Sequence, residues 1–546
     1  MMLRRRPFGL LAALLLGAAA PAADYDIVIR GGRVLDGAGN PWVRADVAIK
    51  DGRIVEIGRV TGRGAREIDA RDRYVAPGFI DMMDQSARAL AENGLAESKL
   101  RQGVTTLIAG EGGTPGEAGD IAAFFTKLET QGILVNFGTS YASGQARRKV
   151  MGDKAGAPSA AQIAAMRAEV ATAMHAGAFG VTSALIYPPS SFQTTDDLVA
   201  LASEAGKCAG FYSTHMRDES GDLLIAIDEA IAIGERGGAK VEIYHLKAAF
   251  APGWGTLMPQ ALDKIEAART RGVDVAADIY PYVAGGTGLD ATIPTWIMAD
   301  GTAKGLERLK DPAVRARAKR ELATGSLPGW SNLVHAAGGW KNIRLASASS
   351  PNYERFNGQS LEAIGKALGR DPADIAWDMV IAAAPSGKRA TALYFLMSEP
   401  DIEAALRKPW VSIGSDAAAI ATLGGPDPVG LPHPRAYATF PRVLSEYVVK
   451  RGTLGLEDAV RRMTSWPAQR MGLSDRGLVR EGMRADLVLI DLPNVRDNAT
   501  WDKPSALPTG IDAVFVNGAL TFENGHHTGA KRGMVLRHAC AGGAAK

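Results

Sequence analysis

Alternating apolar and polar positions open and close the chain, and longer helical periods fill its middle. The segments DIVIRGGRVLDG and ADVAIKDGRIVEIG, within residues 24–74, alternate at the period of a strand and break at glycine turns, which predicts hairpins. The same pattern returns near the other end in GMRADLVLIDL and DAVFVNGALTFENG. Two similar β-rich ends predict one small β-sandwich built from residues 24–74 and 467–546, with residues 75–466 inserted between them.

Within the insertion, eight short apolar runs recur, at 75–81, 104–110, 133–138, 179–185, 210–215, 241–245, 273–278 and 410–415. Amphipathic stretches separate them, among them 160–176, 195–205, 222–236 and 259–271. Eight strand–helix units predict a closed parallel (β/α)8 barrel. An open doubly wound sheet is the alternative, but no glycine-rich phosphate loop follows the first strand. The last two strands are far apart. Between them residues 285–351 carry Trp296, Trp330 and Trp340 among Gly and Pro, and leave from a strand's C-terminal end. That segment reads as a lid or wall over a pocket, or as a surface excursion with its own core.

The first 23 residues differ in character. Arg4, Arg5 and Arg6 precede an apolar run from Phe8 to Ala20, and Ala20-Pro21-Ala22 offers small residues for cleavage. This is the pattern of a signal peptide, with an uncleaved anchor as the alternative. Its removal would leave a periplasmic or secreted protein with no stable membrane span. Export permits disulfides, yet only Cys208 and Cys540 are present. A bridge between them stays open; Cys208 reads as a core residue and Cys540 as part of a loose tail. Lys and Arg total 62 against 59 Asp and Glu, with no basic stripe, which gives nucleic-acid binding no support.

Barrel enzymes gather polar groups at the C-terminal ends of several strands. Here His215 ends the fifth predicted strand, His245 the sixth, and Asp416 follows the eighth. Neutral imidazoles bind a divalent metal and leave a coordination position open. The metal brings the pKa of a bound water towards neutrality, and a nearby Asp can take the water's proton and hand it to a leaving nitrogen.

The motifs VAPGFID, QGVTT, THMRDE, HLK, DIYPYVAG, IGSD and HPRAYATFPRVL, with RADLVLID and VFVNG near the end, together resemble the D-aminoacylase (N-acyl-D-amino-acid deacylase) branch of the amidohydrolase superfamily. The resemblance covers nearly all of the chain after residue 23. It implies a barrel with a composite sandwich and hydrolysis of N-acyl amino acids at zinc. By matching motif, His215 and His245 resemble metal ligands and Asp416 the catalytic acid/base. Lys247, Tyr280 and Arg435 resemble the groups that hold the carboxylate of a small-molecule substrate; an ordinary ion pair is the alternative for Lys247 and Arg435.

Two departures bear on the metal. After GFID the family carries His-x-His, where this chain has Met83 and Gln85, both poor ligands. The family's zinc-binding Cys, in a GNCG turn, corresponds to Gly112 of Gly110-Glu111-Gly112-Gly113. Glu111 can replace it, giving a His2Glu site for about one zinc per chain, or can pair with Arg217. Asp84 and Gln85 are candidates for contacts behind the ligands, and Asp278 for orienting a histidine. His433 lines the pocket or orders a loop. Asp218 and Glu219 read equally well as a solvated ion-pair cluster, and His526 and His527 as surface residues. The hydrolase could also act on a cyclic amide, a dipeptide or a lactone, or the chain could be an inactive binding protein that kept the barrel.

Overall fold

The computed structural model describes residues 23–115, 120–327, 329–421 and 430–540. The signal peptide expected over residues 1–23 lies outside them but for its last residue.

Eight parallel strands form the barrel: Phe79–Asp84, Val104–Ala109, Asn136–Thr139 (continued by Tyr141–Ala142), Gly180–Ala184, Phe211–His215, Lys240–Ile243, Val275–Ile279 and Val411–Ile413. The first two are buried at every position, as strands covered on both faces must be. Parallel pairing runs from neighbour to neighbour, and a bridge between Asp84 and Ala417 brings the eighth strand's end to the first. Helices Ala160–His175, Thr195–Gly206, Leu223–Gly237 and Leu257–Thr270 lie between strands, and capping boxes at Ser159 and Thr194 start two of them.

The apolar run at 75–81 serves two domains. Tyr74–Pro77 joins the terminal sheet, and the barrel strand begins at Phe79. Gly78 allows the handover, because a Cβ there would lie 2.2 Å from Thr105. The sheet has nine strands, five from the N-terminal side and four from the C-terminal side, joined where Tyr74–Pro77 pairs antiparallel with Leu487–Ile490. Its long first strand, Tyr25–Val34, shifts register between Ile29 and Gly32 and pairs Gly64–Asp69 before the shift and Tyr74–Pro77 after it. Ile27, Ile29, Val47, Ile49, Leu487 and Phe515 share its core.

The inserted segment is longer than 285–351. Strands Ala284–Gly288, Ile343–Ser347 and Thr391–Phe395 make an antiparallel sheet, packed with helices such as Pro372–Ala383 around the fully buried Trp377. The two readings of the segment are therefore not exclusive: it has its own core, and its first and last strands line the pocket below.

The C-terminal tail is not loose. Gly533 and Val535 bridge to Ile133 and Phe137 at the barrel, and Cys540 forms a disulfide with Cys208 across 332 residues of sequence.

Candidate metal centre

Each prospective ligand stands at or just beyond the C-terminal end of a barrel strand. Glu111 follows Val104–Ala109 through Gly110, whose backbone presses on Ser140; a Cβ there would lie 2.9 Å from Ser140 N and O. His215 is the last residue of its strand. His245 and Asp416 lie beyond theirs with positive φ, 39° and 48°, a conformation costing about 1–3 kcal/mol each that surrounding contacts must hold. Those contacts are visible. The His245 N–H donates to Asp278 Oδ1 at 2.8 Å, and the Asp416 N–H to Met83 O at 2.8 Å. Asp278 thus orients the backbone of His245, not its ring as expected. Burial, and then the charge of Glu242, raise the Asp278 pKa well above the usual range.

Glu111, His215 and His245 converge, with one ligand atom from each lying within 4.8 Å of the others. Glu111 Oε1 is 3.0 Å from His215 Nδ1 and 3.7 Å from His245 Nε2. Ligands about 2.0–2.2 Å from a tetrahedral zinc stand roughly 3.4 Å apart, so the donor set fits such an ion. Arg217, the alternative partner for Glu111, instead pairs with Glu229 at 2.9 Å. Burial raises the Glu111 pKa, but hydrogen bonds and charge from the two histidines outweigh it and hold the carboxyl well below its usual range. Burial and the ammonium of Lys247 lower the His245 pKa; Glu219, Asp416 and Glu111 overcome both and bring it up to about 10.

The two departures at the first and second strands fit each other. Gln85 Nε2 donates to Glu111 Oε2 and lies 3.5 Å from Asp416 Oδ1. A Cβ at Gly112 would lie 2.7 Å from Gln85 Oε1, so the long amide and the bare glycine belong together. Asp84 faces away from the ligands, towards Ser86 and the buried Lys99, 3.0 Å away.

Asp416 Oδ2 pairs with Arg435 Nη1 at 2.7 Å, and the guanidinium lies 4.6 Å above the ring of Tyr280. Lys247 Nζ has Glu219 Oε1 and His245 Nδ1 at 2.7 Å each and His245 O at 3.0 Å, and donates to the two oxygens. His433 does both things its position suggested: it lies in the pocket wall, accepts the Arg435 N–H on Nδ1 at 3.0 Å, and contacts Ala284 O through Nε2 at 2.8 Å. Glu219 is no solvated residue. It is buried, 3.3 Å from His215 Nε2 and 3.1 Å from His245 Nδ1. Nothing in its setting in THMRDE, a non-helical loop after the strand, marks it in the sequence as a neighbour of both histidines. Tyr187 was not singled out in the sequence; its ring packs edge-on to His215 at 5.5 Å. These groups, with His245 buried behind them, line a pocket of about 560 Å³ under the inserted sheet, a size suited to a small molecule.

Residues 126–522 match the model of the amidohydrolase family. The chain belongs to that family. This amidohydrolase is 32% identical to N-acyl-D-glutamate deacylase of Alcaligenes xylosoxydans xylosoxydans over 520 residues, covering 91% of the chain and 93% of the relative. It is 31% identical to D-aminoacylase of the same organism, covering 95% and 98%. Among solved structures it superposes on N-acyl-D-glutamate deacylase of Bordetella bronchiseptica, complexed with zinc and a phosphonate that mimics the tetrahedral intermediate. The TM-score is 0.78 at 30% identity, with 94% of this chain and 100% of that one covered. A D-aminoacylase described as having a binuclear metal centre gives 0.76 at 29%, over 94% and 100%. The amidohydrolase is thus D-aminoacylase-like, a metal-dependent hydrolase of carbon–nitrogen bonds other than peptide bonds. Among the described residues no helix is long and apolar enough to cross a membrane.

Proposed function

We propose that this amidohydrolase is an exported enzyme that uses one zinc ion to cleave the amide of N-acyl-D-amino acids. The observation that carries the reading is the convergence of Glu111, His215 and His245, with Asp416 in the wall of the pocket that Glu111 and His215 line. A zinc ion held there would supply an activated water and polarise the scissile carbonyl.

The chain's own groups do the rest. Arg435 engages Asp416 Oδ2 at 2.7 Å, whereas Gln85 Nε2 lies 3.5 Å from Oδ1, so the more loosely held Oδ1 is the atom that receives the water's proton and passes it to the leaving nitrogen. The C–N bond breaks as the water oxygen joins the acyl carbon, giving a carboxylate and a free amino acid. Arg435 and Tyr280, with Lys247 behind them, hold the substrate's carboxylate. One ion is favoured over two because Met83 and Gln85 are poor ligands and the Gln85 amide already bridges towards Glu111 and Asp416. Export is supported by the leader-like first 23 residues and by the Cys208–Cys540 disulfide.

The experiment is turnover of N-acetyl-D-amino acids, glutamate included, and of their L counterparts, by wild type and Asp416→Asn at measured zinc content. We expect D-selective hydrolysis by wild type, and a loss of at least 10²-fold in Asp416→Asn with about one zinc retained. A zinc-loaded wild type inert towards the whole D series would overturn the substrate, and full activity in Asp416→Asn would remove Asp416 from the mechanism.

A further inference from the structure

The nitrogens of the two histidines that face Glu111 are Nδ1 of His215 and Nε2 of His245. A neutral imidazole that gives one nitrogen to a metal carries its proton on the other. Here the other nitrogens are His215 Nε2 and His245 Nδ1, and both meet a single carboxylate. Glu219 Oε2 lies 3.3 Å from the first, and Glu219 Oε1 lies 3.1 Å from the second. His215 Nε2 is buried and makes no hydrogen bond in this structure, and Glu219 Oε2 at 3.3 Å is the carboxylate oxygen placed to take its proton. Glu219 is only 7% exposed, and Lys247 at 2.7 Å balances its charge.

We propose that Glu219 is a positioning residue that sets the tautomer and orientation of both metal-binding imidazoles at once. One carboxylate oxygen accepts the Nε2–H of His215 and the other the Nδ1–H of His245, so the nitrogens facing Glu111 stay bare for the metal. With His245 Nδ1 carrying its proton, Lys247 directs its own protons to Glu219 Oε1 and His245 O, both already within 3.0 Å. A carboxylate behind one ligating histidine is a common arrangement; a single carboxylate behind two couples them, so that losing it disturbs two of three ligands together. The inference rests on the metal reading given above.

The test uses zinc and cobalt(II) alone, without substrate. Glu219→Gln keeps the size of the side chain but turns one oxygen into a donor, so it cannot accept from both imidazoles. We expect its zinc dissociation constant to rise about 10- to 100-fold. The visible bands of the cobalt-substituted variant should also shift, while the melting temperature of the metal-free protein stays close to that of wild type. If Glu219→Gln fails to fold, Glu219→Asp, which withdraws the carboxylate by one methylene, should show the same loss of affinity. Zinc affinity within twofold of wild type together with an unchanged cobalt spectrum, in whichever variant folds, would overturn the assignment. A wild-type chain that binds no zinc would overturn the hydrolase reading and this one with it.

Discussion

Zinc uptake by the proposed ligands Glu111, His215 and His245 should displace a proton. In the metal-free chain His245 is held up to about 10, so its proton is present at neutral pH, and a ligating imidazole cannot keep it on the metal-facing nitrogen. A raised histidine contributes stability below its ordinary pKa of about 6.5 that is lost as pH rises through about 10. The depressed carboxyl of Glu111 acts in the opposite sense, contributing above about pH 4.3 and losing that contribution under more acid conditions. Zinc affinity should therefore tighten as pH rises from about 6.5 towards 10. Calorimetry in buffers of different ionisation heat at pH 7.5 should report roughly one proton released per zinc, and Glu111→Gln should lose its zinc on dialysis. Zero proton release would mean that His245 is already neutral. Residue by residue, the convergence of Glu111, His215 and His245 was legible because each stands at or just beyond a strand end. Glu219 was not, because an acidic residue beside Arg217 and Asp218 in a loop looks like solvated charge until its burial is seen.

The inserted element ties substrate access to a separate small core. Strands Ala284–Gly288 and Thr391–Phe395 place Thr287, Thr391 and Leu393 in the pocket wall, while Ala392 and Tyr394 belong to the same buried cluster as Trp377 of helix Pro372–Ala383. Trp377→Ala should cost about 3–5 kcal/mol of local stability. Because the metal ligands lie on barrel strands and their loops, zinc content should be unchanged while KM rises more than kcat falls; equal losses in both, with zinc lost, would tie the insert to the metal site itself. The strands of this insert were poorly legible. Trp296, Trp330 and Trp340 drew notice by standing among Gly and Pro, yet the fully buried Trp377 lies on a helix with an ordinary apolar face. A sheet of three strands separated by 54 and 43 residues has no local signature, since its pairing is decided by tertiary contact. The eight barrel strands were legible for the opposite reason: each is a continuous apolar run covered on both sides.

For the whole molecule, the decisive contacts are those that join distant parts of the chain. Lys99, fully buried, bonds Asp81 at 2.8 Å, Ser415 at 2.7 Å and the Ala417 carbonyl at 2.8 Å, which fastens the last barrel strand to the first. At the other end of the molecule, the Cys208–Cys540 bridge ties the C-terminal tail to the segment that leads into the fifth barrel strand. Neither was readable from sequence, because one lysine among 62 basic residues and two cysteines 332 positions apart carry no spacing signal. A reducing cytosol would remove the bridge and leave the tail held by its pairing with Ile133 and Phe137, by Arg537 on Glu129 and by the His538 N–H on the Gly177 carbonyl. Expressed with its leader, the protein should be recovered outside the cytoplasm, beginning at about residue 24, with no thiol available to alkylation. Cys540→Ser should still bind zinc, because the bridge lies away from the ligands, but its melting temperature should fall by an amount equivalent to roughly 2–5 kcal/mol. A native chain with two free thiols and the Cys540→Ser melting temperature would show that the bridge does not form, and an intact residue 1–23 segment on a cytoplasmic product would remove export from the account.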